Sequence, residues 1–164
     1  MGKLFYIMGK SASGKDTIYQ RLLRNPEFSL ERLVIYTTRP IRDGELDGRE
    51  YHFVTEEDFQ KLKAEGKIIE DRGYETVYGL WRYFTADNMN LEEKSYLGIG
   101  TLESYEKLKA YYGEEKIRPI YIEVEDGERL KRAIAREETQ EAPKYEEMCR
   151  RFLADAQDFS EEKI

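Results

Sequence analysis

Gly9-Lys10-Ser11-Ala12-Ser13-Gly14-Lys15-Asp16-Thr17 is the stretch on which the fold turns. In front of it, residues 3 to 8 form a short apolar run with aromatic and β-branched members, which predicts a buried strand ending at Gly9. Behind it, Ile18, Leu22 and Leu23 recur at helical spacing as far as Asn25-Pro26, whose proline drives the preceding residue out of the helical region. Gly9 and Gly14 let the backbone between strand and helix curl so that successive N–H groups converge on one anion. The helix N-terminus adds about half a positive charge and Lys15 a full one, so residues 9 to 17 are predicted to cradle phosphate. The competing reading is a purely structural strand-to-helix turn.

The strict form of such a loop has Ser or Thr directly after the lysine, where a hydroxyl reaches Mg²⁺; here Asp16 stands in that place and Thr17 follows. Both side chains offer hard oxygen donors, and Mg²⁺ favours such ligands while keeping several waters. Asp16 can equally complement the helix dipole, and the sequence leaves both roles open.

The chain has 164 residues, 40% hydrophobic and 37% charged, which suits one folded domain and excludes disorder. Its 34 acidic against 27 basic residues give a formal charge of −7, which disfavours non-specific binding to nucleic acid or anionic membrane. Any anionic ligand must therefore be captured by a local basic site. The N-terminal apolar run is too short for a signal peptide and no 18-residue apolar stretch follows, so a cytoplasmic location is expected. Cys149 is the single cysteine and His52 the single histidine, which excludes an internal disulfide, a His-based triad and a transition-metal site.

Further along, Leu33 to Thr38 reads as a second strand, and 39 to 49 as a charged, Gly-punctuated loop before extended Tyr51 to Val54. Thr55, with Asp58 three residues on, predicts a capped helix over 56 to 65 that Gly66 ends. Three short β pieces are expected at 67 to 71, 75 to 78 and 81 to 85, with Trp81 either packed under this small sheet or reaching its pocket. Ser95 to Ile99 reads as a buried strand, Thr101 as a helix cap, Ile117 to Val124 as a strand and Asp126 as the next cap. Pro143 is placed in the first turn of a last helix carrying an apolar stripe of Tyr145, Met148, Cys149, Phe152, Leu153 and Ala156, with Cys149 a small core residue. Strands alternating with helices imply right-handed crossovers and a parallel sheet.

A second basic cluster follows the second strand. Arg39 and Arg42 lie three apart, and Tyr51 stands nine after Arg42. Arginine forks bind phosphate oxygens bidentately and a tyrosine hydroxyl adds a neutral hydrogen bond, which describes a second phosphate site; a solvated hairpin of mixed charge is the plainer alternative.

Taken with the first loop, the run Thr37, Thr38, Arg39, Arg42, Glu45, Gly48, Tyr51, Phe53 and Val54 resembles the signature of the guanylate kinases, P-loop nucleoside monophosphate kinases. The resemblance extends over the whole chain through Glu70, Tyr78-Gly79, Arg132, Arg136 and Arg151. It implies an α/β fold, the three-layer P-loop NTPase architecture with a parallel core sheet, a small mixed-sheet acceptor-binding insertion and a helical lid. The core is expected over 1–36, 91–126 and 146–164, the insertion over 37–90 and the lid over 127–145. It further implies ATP as phosphoryl donor, with Mg²⁺ at Thr17 and Asp16, bound on Gly9, Lys10, Ser11, Ala12, Ser13, Gly14, Lys15, Asp16 and Thr17. Arg39, Arg42, Tyr51 and Tyr78 would hold the acceptor phosphate and Glu70 would face the guanine edge. Lys15, Arg39, Arg132, Arg136 and Arg151 would act on the transferred group, Arg132 and Arg136 sharing one helix face at i and i+4.

Four departures fall where that family reads the base: Ile35 and Leu80 replace hydroxyl residues, and Gly98 and Gly100 replace two aspartates. They point to weakened guanine selectivity and raise a base-free acceptor as an alternative, as in the similar ribose 1,5-bisphosphate phosphokinases, which also carry Gly-Lys-Asp. Guanylate-kinase-like scaffold domains, which bind phosphorylated peptide, are a further alternative, against which the intact Gly9, Gly14, Lys15 and Thr17 argue. Relative to the family pattern, the sequence is expected to stop at Ile164 short of a final strand and helix beside the adenine.

Overall fold

A computed structural model describes residues 1–160 and 162–164. Strand β1 (Leu4–Gly9) leads through α1 (Lys15–Arg24) into β2 (Leu30–Arg32). After an excursion into a second sheet the chain returns as β7 (Ser95–Ile99), α3 (Leu102–Tyr112) and β8 (Ile117–Ile122). These four strands form a parallel sheet in the order β2-β7-β1-β8, so β1 is paired on both sides: Leu4 to Tyr96 and to Ile117, Ile7 to Ile99 and to Ile120. Strands covered on both faces need apolar residues throughout. On one face Ile7, Leu97 and Tyr19 pack under α1; on the other Leu4, Tyr6, Met8, Leu33, Tyr105 and Leu108 pack under α3. The result is helix, sheet, helix, with the carboxyl end of β1 opening into the Gly9-to-Thr17 loop.

The excursion is a second sheet. It comprises β3 (Tyr36–Thr37), β4 (His52–Phe53), β5 (Ile68–Thr76) and β6 (Gly79–Ala86) in the order β4-β3-β6-β5, with β3 parallel to β4 and antiparallel to β6. Helix α2 (Glu56–Ala64) covers one side and starts with the predicted capping box between Thr55 and Asp58. Its Phe59 meets Phe84 edge-on at 5.0 Å, and Phe84 in turn stacks on Tyr36 at 5.1 Å.

Several expectations are corrected. The strand predicted over Leu33 to Thr38 divides between the sheets: β2 begins earlier, at Leu30, while β3 starts at Tyr36. The polar Leu30-Glu31-Arg32 lies at a sheet edge and so lacks an apolar signature, whereas Leu33 is the last residue tied to the core, through its N–H to the Leu97 carbonyl at 2.9 Å. The three short β pieces are one long hairpin, because Gly73 continues β5 opposite Arg82 and the only reversal is at 77 to 78, before Gly79 at φ +107°. Asp126 is the first residue of α4 (Asp126–Glu138), not its cap, and its carboxylate pairs with Arg129 at 2.8 Å. Pro143 precedes Lys144, the N-cap residue of α5 (Tyr145–Asp158), and therefore lies outside the helix. The apolar stripe on α5 is only half used: Met148 is buried, but Cys149, Leu153 and Ala156 are exposed, so Cys149 is not a core residue. Helix α5 presents a narrow edge of Met148, Phe152 and Asp155 to its neighbours, leaving the other side of the stripe uncovered.

Phe84 is fully buried at the centre of the second sheet, so Phe84→Ala should cost about 3–5 kcal/mol. Urea denaturation followed by tyrosine and tryptophan fluorescence measures it; a loss under about 1 kcal/mol would mean that this cluster does not hold the second sheet.

Candidate active site

The loop after β1 has the geometry its glycines predicted. Gly14 adopts φ +86° and Ala12 φ +61°, both left-handed, which turns the chain sharply before α1. A Cβ at Gly9 would stand 2.8 Å from the Ser13 hydroxyl and 3.0 Å from the Ile122 carbonyl, so close approach excludes any larger residue there. The Ser13 hydroxyl is buried and has no hydrogen-bond partner, an orphan that a bound anion would satisfy. The first N–H groups of α1 have no partner inside the helix and face the same space. Lys10 reaches toward Asp126 at 3.9 Å, and beside it a cavity of about 630 Å³ opens between 121 to 126 and the end of α5, lined by Tyr121, Phe159 and Ile164.

Thr17 and Asp16 are exposed on the first turn of α1. Among the described residues no group of three or more His, Cys, Asp or Glu side chains is arranged to hold a metal. One hydroxyl and one carboxylate nevertheless fit Mg²⁺, which takes few protein ligands and completes its shell with phosphate oxygens and water.

The second sheet assembles the other basic site. Thr37 on β3 pairs with Phe53 on one side and Tyr83 on the other, so Arg39, two residues further, lands against this aromatic face. Its guanidinium is 4% exposed, lies 5.4 Å from the Tyr51 ring and 5.6 Å from the Phe53 ring, and makes a bidentate pair with Glu45 at 3.0 and 2.9 Å. The hydrogen bond to Glu45 raises Arg39 above its ordinary value, and the same bond lowers the Glu45 carboxyl. Arg42 gives its backbone N–H to Glu45 at 2.8 Å and leaves its side chain exposed.

Tyr78 does not join this group. It is 81% exposed at the hairpin tip, where it stacks on Trp81 with centroids 6.0 Å apart, which also settles Trp81 as a packing partner at the tip. Tyr83 does reach the cluster, its ring 5.6 Å from that of Tyr51, and its phenol adds to the raising of Arg39. The hairpin register decides which tyrosine faces the cluster, and three separate β pieces, as the sequence suggested, do not show it. Glu70 is buried, accepts from Thr85 at 2.8 Å and lies 3.6 Å from the Arg72 guanidinium.

Gly98 and Gly100 have a spatial cause. A Cβ at Gly98 would lie 2.8 Å from the Tyr6 ring, and one at Gly100 only 1.9 Å from the Tyr6 hydroxyl. The ring of Tyr6, 4% exposed, thus fills the ground where two longer side chains would stand. Burial raises its phenol and neighbouring Glu70 raises it further, while a hydrogen bond with Ser104 works the other way. The Ile35 carbonyl accepts from the His52 N–H at 2.9 Å, and Leu80 packs toward Gly73 on the hairpin.

Of the three later arginines, Arg132 comes to the loop itself, reaching the Ala12 carbonyl at 3.4 Å while bound to Glu128 at 3.3 Å. Arg136 and Arg151 line a narrow crevice between α4 and α5 behind Ser11. Sequence reading passed over Arg129, the most buried charged residue, because it occupies an apolar position of α4.

An anion cradle between a parallel strand and a helix, faced by a second arginine and tyrosine cluster on a separate sheet, defines a P-loop nucleotide-binding protein of the α/β class. The comparisons with known proteins agree: a guanylate kinase family model matches residues 1–162, and the chain belongs to the guanylate kinase family. It is 40% identical over 101 residues to the guanylate kinase of Schizosaccharomyces pombe, covering 62% of this chain and 44% of that protein. It is 31% identical over 157 residues to that of Wolbachia pipientis wMel, covering 95% of this chain and 75% of the relative. The crystal structure of guanylate kinase from Anaplasma phagocytophilum matches with a TM-score of 0.58 at 25% identity, over 98% of this chain and 71% of that one. The chain spans less than half the length of several curated relatives that it matches, including those of Schizosaccharomyces pombe and Vibrio parahaemolyticus.

Acid should loosen the loop carrying Arg39. Glu45 is lowered by Arg39, and Glu50 is lowered to about 2 by Arg49 and the Leu46 N–H. Their stabilisation of the loop is therefore complete above the ordinary carboxylate value of 4.5 and lost as pH falls toward 2. NMR resonances of 39 to 51 should move in that window while those of β1 hold; loosening near pH 6 would contradict the assignment.

Proposed function

We propose that this chain transfers the γ-phosphoryl group of ATP to GMP, yielding ADP and GDP. The observation that carries the reading is the orphaned phosphate cradle at β1 and α1 combined with the Arg39, Arg42 and Tyr51 cluster, one site for each phosphate that must meet. In the reaction an oxygen of the acceptor phosphate attacks the γ-phosphorus. The bond from that phosphorus to the β,γ-bridging oxygen breaks, and its electron pair leaves on ADP. A phosphate monoester dianion is already nucleophilic, so positioning and charge neutralisation are what the protein must supply.

Lys15 and the first-turn N–H groups would hold the donor phosphates, with the donor base in the cavity beside Lys10. Arg39, Arg42, Tyr51 and Tyr83 would hold the acceptor phosphate, Arg39 exchanging part of its pairing with Glu45 for phosphate oxygens. Arg132 beside the loop, with Arg136 and Arg151, would neutralise charge on the transferred group. Thr17 and Asp16 would hold Mg²⁺, which would supply charge neutralisation. Glu70 would accept from the base edge, but with Tyr6 over Gly98 and Gly100 the site offers one carboxylate there. Guanine selectivity is accordingly weaker, since each missing hydrogen bond to a polar edge forfeits about 1–3 kcal/mol. A cytoplasmic setting fits such ATP-dependent chemistry.

ADP release from ATP and Mg²⁺ against GMP, dGMP, AMP, UMP and ribose 1,5-bisphosphate tests this. Preferred turnover of GMP, abolished in Lys15→Ala, is expected; turnover of ribose 1,5-bisphosphate alone would replace the acceptor. Tyr83→Phe should raise the GMP KM about fivefold to tenfold while Tyr78→Phe leaves it within twofold, a difference on the order of one hydrogen bond to a charged group.

A further inference from the structure

We infer that Arg129 and Asp155 are positioning residues that hold the phosphate loop in its binding shape from behind, and that the first half of α4 is a fixed strut rather than a moving part of the lid. The inference rests on the reading that the loop binds the donor phosphates.

The loop needs such support. Ala12 sits in the left-handed region at φ +61° without being glycine, a conformation that persists only where the surroundings hold it. Inside the loop a single backbone bond, Ser13 N–H to the Lys10 carbonyl at 3.2 Å, works against that strain. The rest comes from outside, at Ser11. Its N–H donates to the Asp155 carboxylate at 2.9 Å, and its carbonyl accepts from Arg129 Nε at 3.0 Å. Both backbone groups of one residue are thus gripped by two side chains from different helices, as a paired strand would grip them.

The two side chains are themselves tied together. A terminal guanidinium nitrogen of Arg129 lies 3.5 Å from Asp155, the other donates to Asp126 at 2.8 Å, and the guanidinium stacks over the Phe152 ring at 4.7 Å. Side-chain exposure is 2% for Arg129 and 17% for Asp155. Taking such charges out of water costs energy that apolar packing would not, so stability is a poor reason for their presence. What apolar residues could not do is donate to Ser11 O and accept from Ser11 N in fixed geometry. The pair also keeps the Asp155 charge from acting unbalanced on incoming phosphate. Arg132, one turn further along α4, reaches the next carbonyl, Ala12 O, at 3.4 Å. Two successive turns of α4 are thereby docked on the loop, so a closing motion must hinge beyond Arg132.

The test compares Asp155→Asn, whose amide oxygen can still accept from Ser11, with the paired substitution Arg129→Leu and Asp155→Ala. ATP affinity by titration calorimetry, KM values for ATP and acceptor, and thermal unfolding are read together. The paired variant should keep its melting temperature within a few degrees yet lose about tenfold in ATP affinity, as loss of charge-assisted bonds predicts, with the acceptor KM within twofold. Asp155→Asn should restore ATP affinity to within about threefold of the parent. An unchanged ATP affinity in a folded paired variant overturns the inference, as does an equal rise in both KM values. Should the paired variant not fold, hydrogen exchange of the parent decides. Protection of the Ser11 amide, reduced in Asp155→Ala without change at β1, supports the grip; an unprotected Ser11 amide overturns it. If the parent binds no ATP, the donor reading fails by itself and the same exchange measurement judges the grip.

Discussion

A loop that leaves a buried parallel strand, turns through left-handed residues and enters a helix with its N–H groups unpaired cannot hold itself. That constraint organises this chain. The strand before the loop is held on both sides as far as Ile7, opposite Ile99 and Ile120, and on one side through Gly9, opposite Ile122, so the point of departure is fixed in register. The helix after it is seated on Ile7, Leu97 and Tyr19. Only the turn between is without apolar support, and there the structure uses polar side chains from α4 and α5. The first N–H groups of α1 stay unpaired within the helix, which is the arrangement an anion would satisfy.

Much of this was legible in the sequence because it is local. The loop, its flanking strand and helix, the capping box at Thr55 and Asp58 and the cap at Thr101 each depend on neighbours within a few positions, and each stands where the residues indicated. Arg39 with Tyr51 came together because a short strand pairing places them, and the family pattern preserved the spacing. What escaped depends on distant pairing. Tyr83 rather than Tyr78 lies beside Tyr51 through hairpin register, β2 is an edge strand with a polar sequence, and Arg129 is a buried charge with partners 26 and 118 residues away, at Asp155 and Ser11. Cys149 was misjudged because a helical apolar stripe says which side is buried only when the neighbouring element is wide enough to cover it.

Carboxylates oppose several cations of this acidic chain: Glu45 opposes Arg39, Asp126 and Asp155 oppose Arg129, Glu128 opposes Arg132 and Glu56 opposes Arg82. An incoming anion must therefore compete with a carboxylate already in place rather than find a bare basic patch. A phosphate group, with more negative charge and more acceptor oxygens than a carboxylate, wins such a contest where a single weak anion does not.

The packing of Tyr6 across Gly98 and Gly100 makes the order of genetic change matter. Introducing a carboxylate at position 100 first would drive its Cβ into the Tyr6 hydroxyl, whereas trimming Tyr6 first leaves only a void. A void costs a few kcal/mol and is survivable in a domain with stability to spare, while a sub-van der Waals collision with a fixed ring is not. The three positions therefore form a ratchet. In this chain a carboxylate can enter at position 98 or 100 only once Tyr6 has been trimmed, through an intermediate with a hole in its core.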